Sequence, residues 1–178
     1  MFAQDQVAEL PPPATPAPLT APIAEIRGDS HERLLGVVVS LAGEIGYRLT
    51  IGDNGRAEGT CNRQTRQITI AQRLAPNGRL AAGIHELAHA LVGEDEAAPK
   101  LTYAQEELVV ESVAWSCCQT VGLDTTANSI PYLTSWAQSA SLDILEQTAA
   151  LTSRLADRIE AGLQERPDHA VLEPATAA

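Results

Sequence analysis

His85-Glu86-Leu87-Ala88-His89 is the stretch whose reading decides the fold. On a helix over Leu80–Val92, its two histidines stand four residues apart and project from one face, one turn above the other. Two imidazoles placed that way can share one metal ion, and Glu86 lies beside them, where a base acting on water at the metal is needed. The flanks predict this helix. Leu80, Ala81, Ile84, Leu87, Ala88, Leu91 and Val92 recur at helical spacing, and Gly93 offers a stop. Two ordinary histidines on an amphipathic helix give the same five-residue pattern, so the rest of the chain has to separate the readings.

The 178 residues are enough for one domain with a single core. A formal net charge of -11, with only 12 Lys and Arg, argues against nucleic acid or an anionic membrane as partner. Cys61, Cys117 and Cys118 are odd in number and two are adjacent, which suits a reducing cytoplasm better than a disulfide framework. The N-terminus lacks a basic region followed by an apolar run, and no apolar stretch approaches the ~20 residues that span a bilayer. A soluble cytoplasmic protein is the expectation.

Residues 1–28 are rich in Ala and Pro and are expected to be a disordered lead-in, with the domain over 29–166 and a frayed tail over 167–178. Upstream of the histidines, Leu34, Leu35, Val38, Leu41, Ala42 and Ile45 predict a helix from Ser30 to Ile45. Asp29 and Glu32 resemble its capping box, Gly46 fits its end, and His31 is expected to face solvent. The period then changes to two. Tyr47 to Ile51, Glu58 to Cys61 and Arg66 to Ile70 predict a small antiparallel sheet, and Pro76-Asn77-Gly78 a turn into the histidine helix.

Downstream, Thr102 and Gln105 form a capping box for a helix through Leu108, Val109, Val110, Val113, Ala114, Cys117 and Val121 to Gly122. That helix is apolar almost all round and should be buried. Its carboxylates are therefore the anomaly. Glu106 and Glu107 lie in the first turn, where the helix dipole favours them, but Glu111 sits among Val110, Val113 and Ala114. Burying it unpaired would cost several kcal/mol or force it to hold a proton. A dication and its supporting shell remove that problem. Glu107 and Glu111 share a face, so one can ligate while the other orients a histidine. From His89 to Glu107 is 107 - 89 = 18 residues, room for a loop and a returning helix. Two histidines, a glutamate and a water make the open tetrahedral site of a catalytic zinc.

Asn128-Ser129-Ile130-Pro131 predicts a turn and helix start, with Tyr132 and Trp136 on one face of the helix that follows. A last helix runs from after Ser141 to Glu165 on the stripe Leu145, Thr148, Ala149, Thr152, Leu155, Ala156, Ile159 and Leu163. Tyr132 or Tyr103 could supply a phenol to a developing oxyanion.

Over roughly Ser30 to Glu165 the sequence resembles the zincin-type metallopeptidase domain of ArdC-like antirestriction proteins, related to the ImmA/IrrE metallopeptidases. The resemblance rests on HELAHAL at His85–Leu91, EELVVESVA at Glu106–Ala114 and GLDTTANSIPYLTSW at Gly122–Trp136. It implies an α+β, gluzincin-like minimal zincin: an N-terminal helix, a small twisted sheet, the histidine helix, a buried glutamate helix and C-terminal helices. It further implies one zinc per chain on His85, His89 and Glu107, with Glu111 the alternative third ligand. Glu86 falls at the catalytic base, and Tyr132, inside the third block, is the preferred phenol. In relatives of this fold the strand before the histidine helix pairs with substrate, here Arg66 to Ile70 as an edge strand for a peptide or protein. ArdC-like proteins carry a single-stranded-DNA-binding domain ahead of the peptidase domain, where this chain has the Ala/Pro-rich lead-in, so DNA binding is not carried over. The implied activity is zinc-dependent peptide hydrolysis. Its alternative is a non-catalytic metal-binding regulatory or protein-interaction module on the same fold.

Overall fold

The computed structural model describes residues 25–137 and 142–165. In chain order these form α1 (Leu34–Glu44), β1 (Arg48–Gly52), β2 (Gly59–Asn62), β3 (Gln67–Ala71), α2 (Pro76–Glu94), α3 (Tyr103–Thr120), α4 (Thr126–Ala137) and α5 (Leu142–Glu165). The described chain is thus α+β, with five helices and one three-stranded sheet. Most of the expected lead-in and the whole of the expected tail lie outside the described residues. Ile26, at the end of that lead-in, packs against the core.

Helix α1 buries Leu34, Leu35, Val38, Leu41 and Ala42 of the expected stripe and Val37 besides, while Ile45 is its half-buried C-cap residue, and its start differs. Residues 30–33 form a turn, Arg33 takes the cap position, and no side chain caps the helix. The Asp29–Glu32 box is replaced by a backbone bond from Glu32 N–H to Asp29 O at 3.0 Å. His31 does not face solvent. Half-buried, it sets Nε2 3.0 Å from the carbonyl of Val121 and Nδ1 2.9 Å from the Ser30 hydroxyl, joining the two ends of the fold. At the other end, Gly46 takes φ +77° while Gly46 and Tyr47 N–H return to the carbonyls of Gly43 and Ala42, a left-handed glycine stop.

The sheet runs in the order β1-β3-β2, which corrects two expectations. It is mixed: β1 pairs parallel to β3 with Leu49 opposite Ile68, and β2 pairs antiparallel with Cys61 opposite Ile68. The strand expected at Arg66–Ile70 is β3, and it is central, so it has no free edge. Burial explains the placement: Ile68 and Ile70 are wholly inaccessible, whereas β1 leaves Ile51 exposed and β2 is shielded only at alternate residues. Among the described residues, the edge strand nearest the histidines is β2.

Helix α2 begins at Pro76, so the expected turn is its first turn, with proline at a position that needs no N–H. It runs past Gly93 to Glu94. Asn77 is buried and fastens the chain before α1: Nδ2 donates to Arg27 O (3.0 Å) and Ser30 Oγ (3.2 Å), and Oδ1 accepts from His31 N–H (3.0 Å).

Helix α3 opens with the expected capping box of Thr102 and Gln105 and buries Leu108, Val109, Val110, Val113, Ala114, Cys117 and Cys118. It packs on α2, α4 and α5, the central position its composition predicts. Gly122, at φ +80°, ends it. Helix α4 starts at Thr126, not at Pro131, which falls inside it. Asp124 sets that start, its carboxylate accepting from Thr126 N–H at 2.9 Å. Helix α5 spans the expected residues. All three cysteines are unpaired, and among the described residues no helix is long and apolar enough to cross a membrane.

Candidate metal centre

The four-residue spacing on α2 brings the rings of His85 and His89 to 5.0 Å between centroids, inclined at 71°. Helix α3 crosses this face and supplies three carboxylates. Glu107 meets both imidazoles on the same ring atom: Oε2 lies 3.8 Å from His85 Nε2 and Oε1 3.5 Å from His89 Nε2. The opposite ring atoms are taken by other residues. His85 Nδ1 lies 3.1 Å from Glu111 Oε2, and His89 Nδ1 lies 2.7 Å from Glu106 Oε1. An ionised carboxylate only accepts, so each Nδ1 donates to its own glutamate while each Nε2 faces Glu107.

One ligand atom each from His85, His89 and Glu107 lie within 4.8 Å of one another, so this trio can hold a metal ion. The chemistry of the donors fits. Neutral imidazoles and a carboxylate are zinc-type ligands, and bonds of about 2.0–2.1 Å set tetrahedral ligand–ligand edges of roughly 3.3 Å, near the separations seen here. The choice between Glu107 and Glu111 is geometric: Glu107 faces the two Nε2 atoms, and Glu111 orients His85 from behind.

Electrostatics follow from this packing. Burial pushes the Glu86 carboxyl above the usual carboxylate range, more than the two histidines pull it down. Burial likewise works against ionisation of Glu111, but hydrogen bonds from His85 and Ser129 outweigh it and hold Glu111 below the ordinary value. Glu106 is lowered by the bond from His89, against burial, with help from Arg63. Burial disfavours charge on His85, yet the Glu111 hydrogen bond and the surrounding carboxylates raise its pKa.

Several supporting residues carried no signal in the sequence, because their partners are distant along the chain. Arg63, in the turn after β2, pairs with Glu106 and donates from Nε to the His89 carbonyl at 3.1 Å. It thereby ties the sheet to both helices of the site. Gly59 on β2 lies against Glu86, and a Cβ there would stand 2.5 Å from Glu86 Cγ and 2.6 Å from Oε1. Only glycine leaves that carboxylate its position. Ser129 on α4 backs Glu111, and the Thr125 hydroxyl lies 3.4 Å from it.

Of the two tyrosines considered, Tyr103 stands at the site. Its phenol donates to Glu107, which raises its pKa, and it lines an open cleft with His85, Glu86, His89 and Gly59 to Gln64. Tyr132 lies on α4, and its side chain is outside the described residues. A second hollow also adjoins His85, lined by residues of α2, α3 and α4 together with Ile26, Glu58 and Gly59.

No protein-family model matches the chain, and no solved structure matches it. Over 85 residues, 48% of its length, the chain is 31% identical to an uncharacterized protein of Bacillus anthracis. The match covers 14% of that protein, so it concerns a small part of a much longer chain.

Proposed function

We propose that this chain is a zinc-dependent metallopeptidase of gluzincin-like architecture, with His85, His89 and Glu107 holding one zinc ion and Glu86 acting as general base. One observation carries the reading: both imidazoles present Nε2 to the same carboxylate, while a separate carboxylate fixes each Nδ1. Incidental histidines on an amphipathic helix have no reason to be oriented from both sides.

Zinc held there would supply an acidified water and polarise a carbonyl. Glu86, beside the two histidines, would serve as the base that takes that water's proton and returns it to the leaving nitrogen, and burial raises its pKa in the direction that role needs. Arg63 and Glu106 keep His89 in one orientation, as Glu111 and Ser129 do for His85. A phenol O–H within reach of the ligand Glu107 is offered by Tyr103. The substrate is a peptide or protein laid along β2, which borders the cleft and is an edge strand among the described residues.

Replacing Glu86 by Gln tests the proposal. Zinc is expected to bind stoichiometrically to both proteins, while cleavage of a denatured protein substrate disappears from the variant. Hydrolysis that survives Glu86→Gln overturns the catalytic role. Zinc binding without hydrolysis by the native chain identifies the site as a regulatory metal centre.

A further inference from the structure

Strand β2 meets the candidate base at Gly59. A Cβ on that residue would stand 2.5 Å from Glu86 Cγ, 2.6 Å from Oε1 and 2.9 Å from Cδ. Contacts that short involve the middle of the Glu86 side chain as well as its end, and the residue is buried at 7% exposure. An alanine therefore has to push the carboxylate out of its place. Backbone freedom does not call for glycine here. The left-handed glycines are Gly28, Gly46, Gly55 and Gly122, and Gly59 is not among them. What the position needs is the missing side chain.

The same residue turns its own backbone outward. Ala71 N–H donates to Glu58 O at 2.9 Å, and the next residue, Gly59, stands opposite Ile70 in the antiparallel ladder. Bonded and non-bonded pairs alternate along such a ladder, so Gly59 and Cys61 direct N–H and C=O away from β3, while Thr60 directs them toward it. The β1 side of β3 agrees. Arg48 N–H goes to Arg66 O at 2.9 Å and Gln72 N–H to Gly52 O at 2.8 Å, which gives the even-numbered residues of β3 to β1 and the odd-numbered ones to β2. Among the described residues no strand flanks β2 on its other side, and Gly59 and Cys61 line the open cleft with His85, Glu86 and His89.

We infer that Gly59 is a positioning residue for the hydrolysis: its absent Cβ seats the Glu86 carboxylate against β2, and its outward N–H and C=O take the main chain of the substrate beside that carboxylate. One residue thereby sets the distance between the base and the bond to be cut. That distance is critical, because a misplacement of about 1 Å costs on the order of 100-fold in rate. The inference rests on the metallopeptidase reading for the reaction, but the seat and the strand register are measurable without metal.

The experiment begins with metal-free full-length protein, melted as the native form, Gly59→Ala, Glu86→Ala and the double variant. Gly59→Ala is expected to lower the melting temperature by about 4 °C in the native background. Beside Glu86→Ala it should lower it not at all, because the atoms it would strike are gone. Amide hydrogen exchange of the native form, followed by NMR, should find Gly59 and Cys61 fast and Thr60 protected. In zinc-loaded protein, with fluorescein-labelled denatured casein as probe, Gly59→Ala should keep stoichiometric zinc and a KM within about threefold while kcat falls about 100-fold. An equal Gly59→Ala shift with and without the Glu86 side chain overturns the inference. So does a protected Gly59 amide beside a fast Thr60, or a kcat left unchanged. Native protein that binds zinc and leaves casein intact sinks the peptidase reading instead, and the melting cycle then still decides whether Gly59 seats Glu86.

Discussion

Glu111 would attract no notice as a surface residue, yet on α3 it engages His85 Nδ1 at 3.1 Å and leaves Nε2 facing Glu107. Glu111→Gln keeps the shape but removes the charge that holds the Nδ1 proton. Zinc affinity is expected to fall about 10–100-fold, read by competition with a chromophoric chelator, while the fold survives. Glu106→Gln should act similarly through His89, and should also free Arg63. Glu86 behaves differently because its burial raises its pKa. A carboxyl whose folded pKa lies above its unfolded one favours folding fully below the unfolded value, and that contribution is lost as pH rises through the folded value. Metal-free Glu86→Gln is therefore expected to melt higher than the native chain at pH 7 and with no such advantage near pH 4, followed by circular dichroism. A lower melting temperature at pH 7 would mean that the Glu86 charge is compensated in place.

Between residues and fold, the junction of α2 with the segment before α1 is the most constrained. Asn77 alone serves Arg27, Ser30 and His31. Asn77→Ala leaves a buried carbonyl and an N–H without their partner, and it is expected to cost about 2 kcal/mol, lowering the melting temperature by about 4–8 °C. A change under 1 °C in a calorimetric scan would show that water replaces the amide. The sheet is held to the site in the same way, by one long side chain. Arg63 spans from the β2–β3 turn to the His89 carbonyl and Glu106, so the end of β2 is tied to both helices that carry the candidate ligands.

Across the molecule, metal and folding should be linked. The three candidate ligands come from α2 and α3, which pack on one another, so an ion held by all three requires the assembled pair. Zinc at a hundredfold excess over its dissociation constant should add about 2.7 kcal/mol of stability, and a chelator should remove it. The thiols offer an independent probe of the same opening. Burial pushes Cys61 up to about 11 and Cys118 up to about 12, with Cys117 raised as well. At pH 8 all three are protonated and alkylation by iodoacetamide should be slow, becoming fast on unfolding and slower again when zinc is added. Rapid labelling of Cys117 in the native protein would contradict the described core.

The local patterns were legible from the chain alone. Histidines four apart, the Thr102–Gln105 box, the glycine stops at Gly46 and Gly122 and the buried Thr148, Leu155, Ala156, Ile159 and Leu163 of α5 depend on residues within a turn or two of each other, and such short-range rules are written into sequence; Ala149, expected in that stripe, is exposed and Leu151 is buried instead. The anomaly of Glu111 in an apolar helix was legible too, since an unpaired buried charge is costly wherever it sits. The crossing of α2 and α3 decided what those residues do: only there does Glu107 face both Nε2 atoms, with Glu106 and Glu111 behind. Strand order, the buried role of His31, the helical first turn at Pro76 and the space that Gly59 leaves for Glu86 were likewise settled by contacts between distant segments. Periodicity states which face of a segment is apolar, but the partner that covers that face is chosen by packing the whole chain at once.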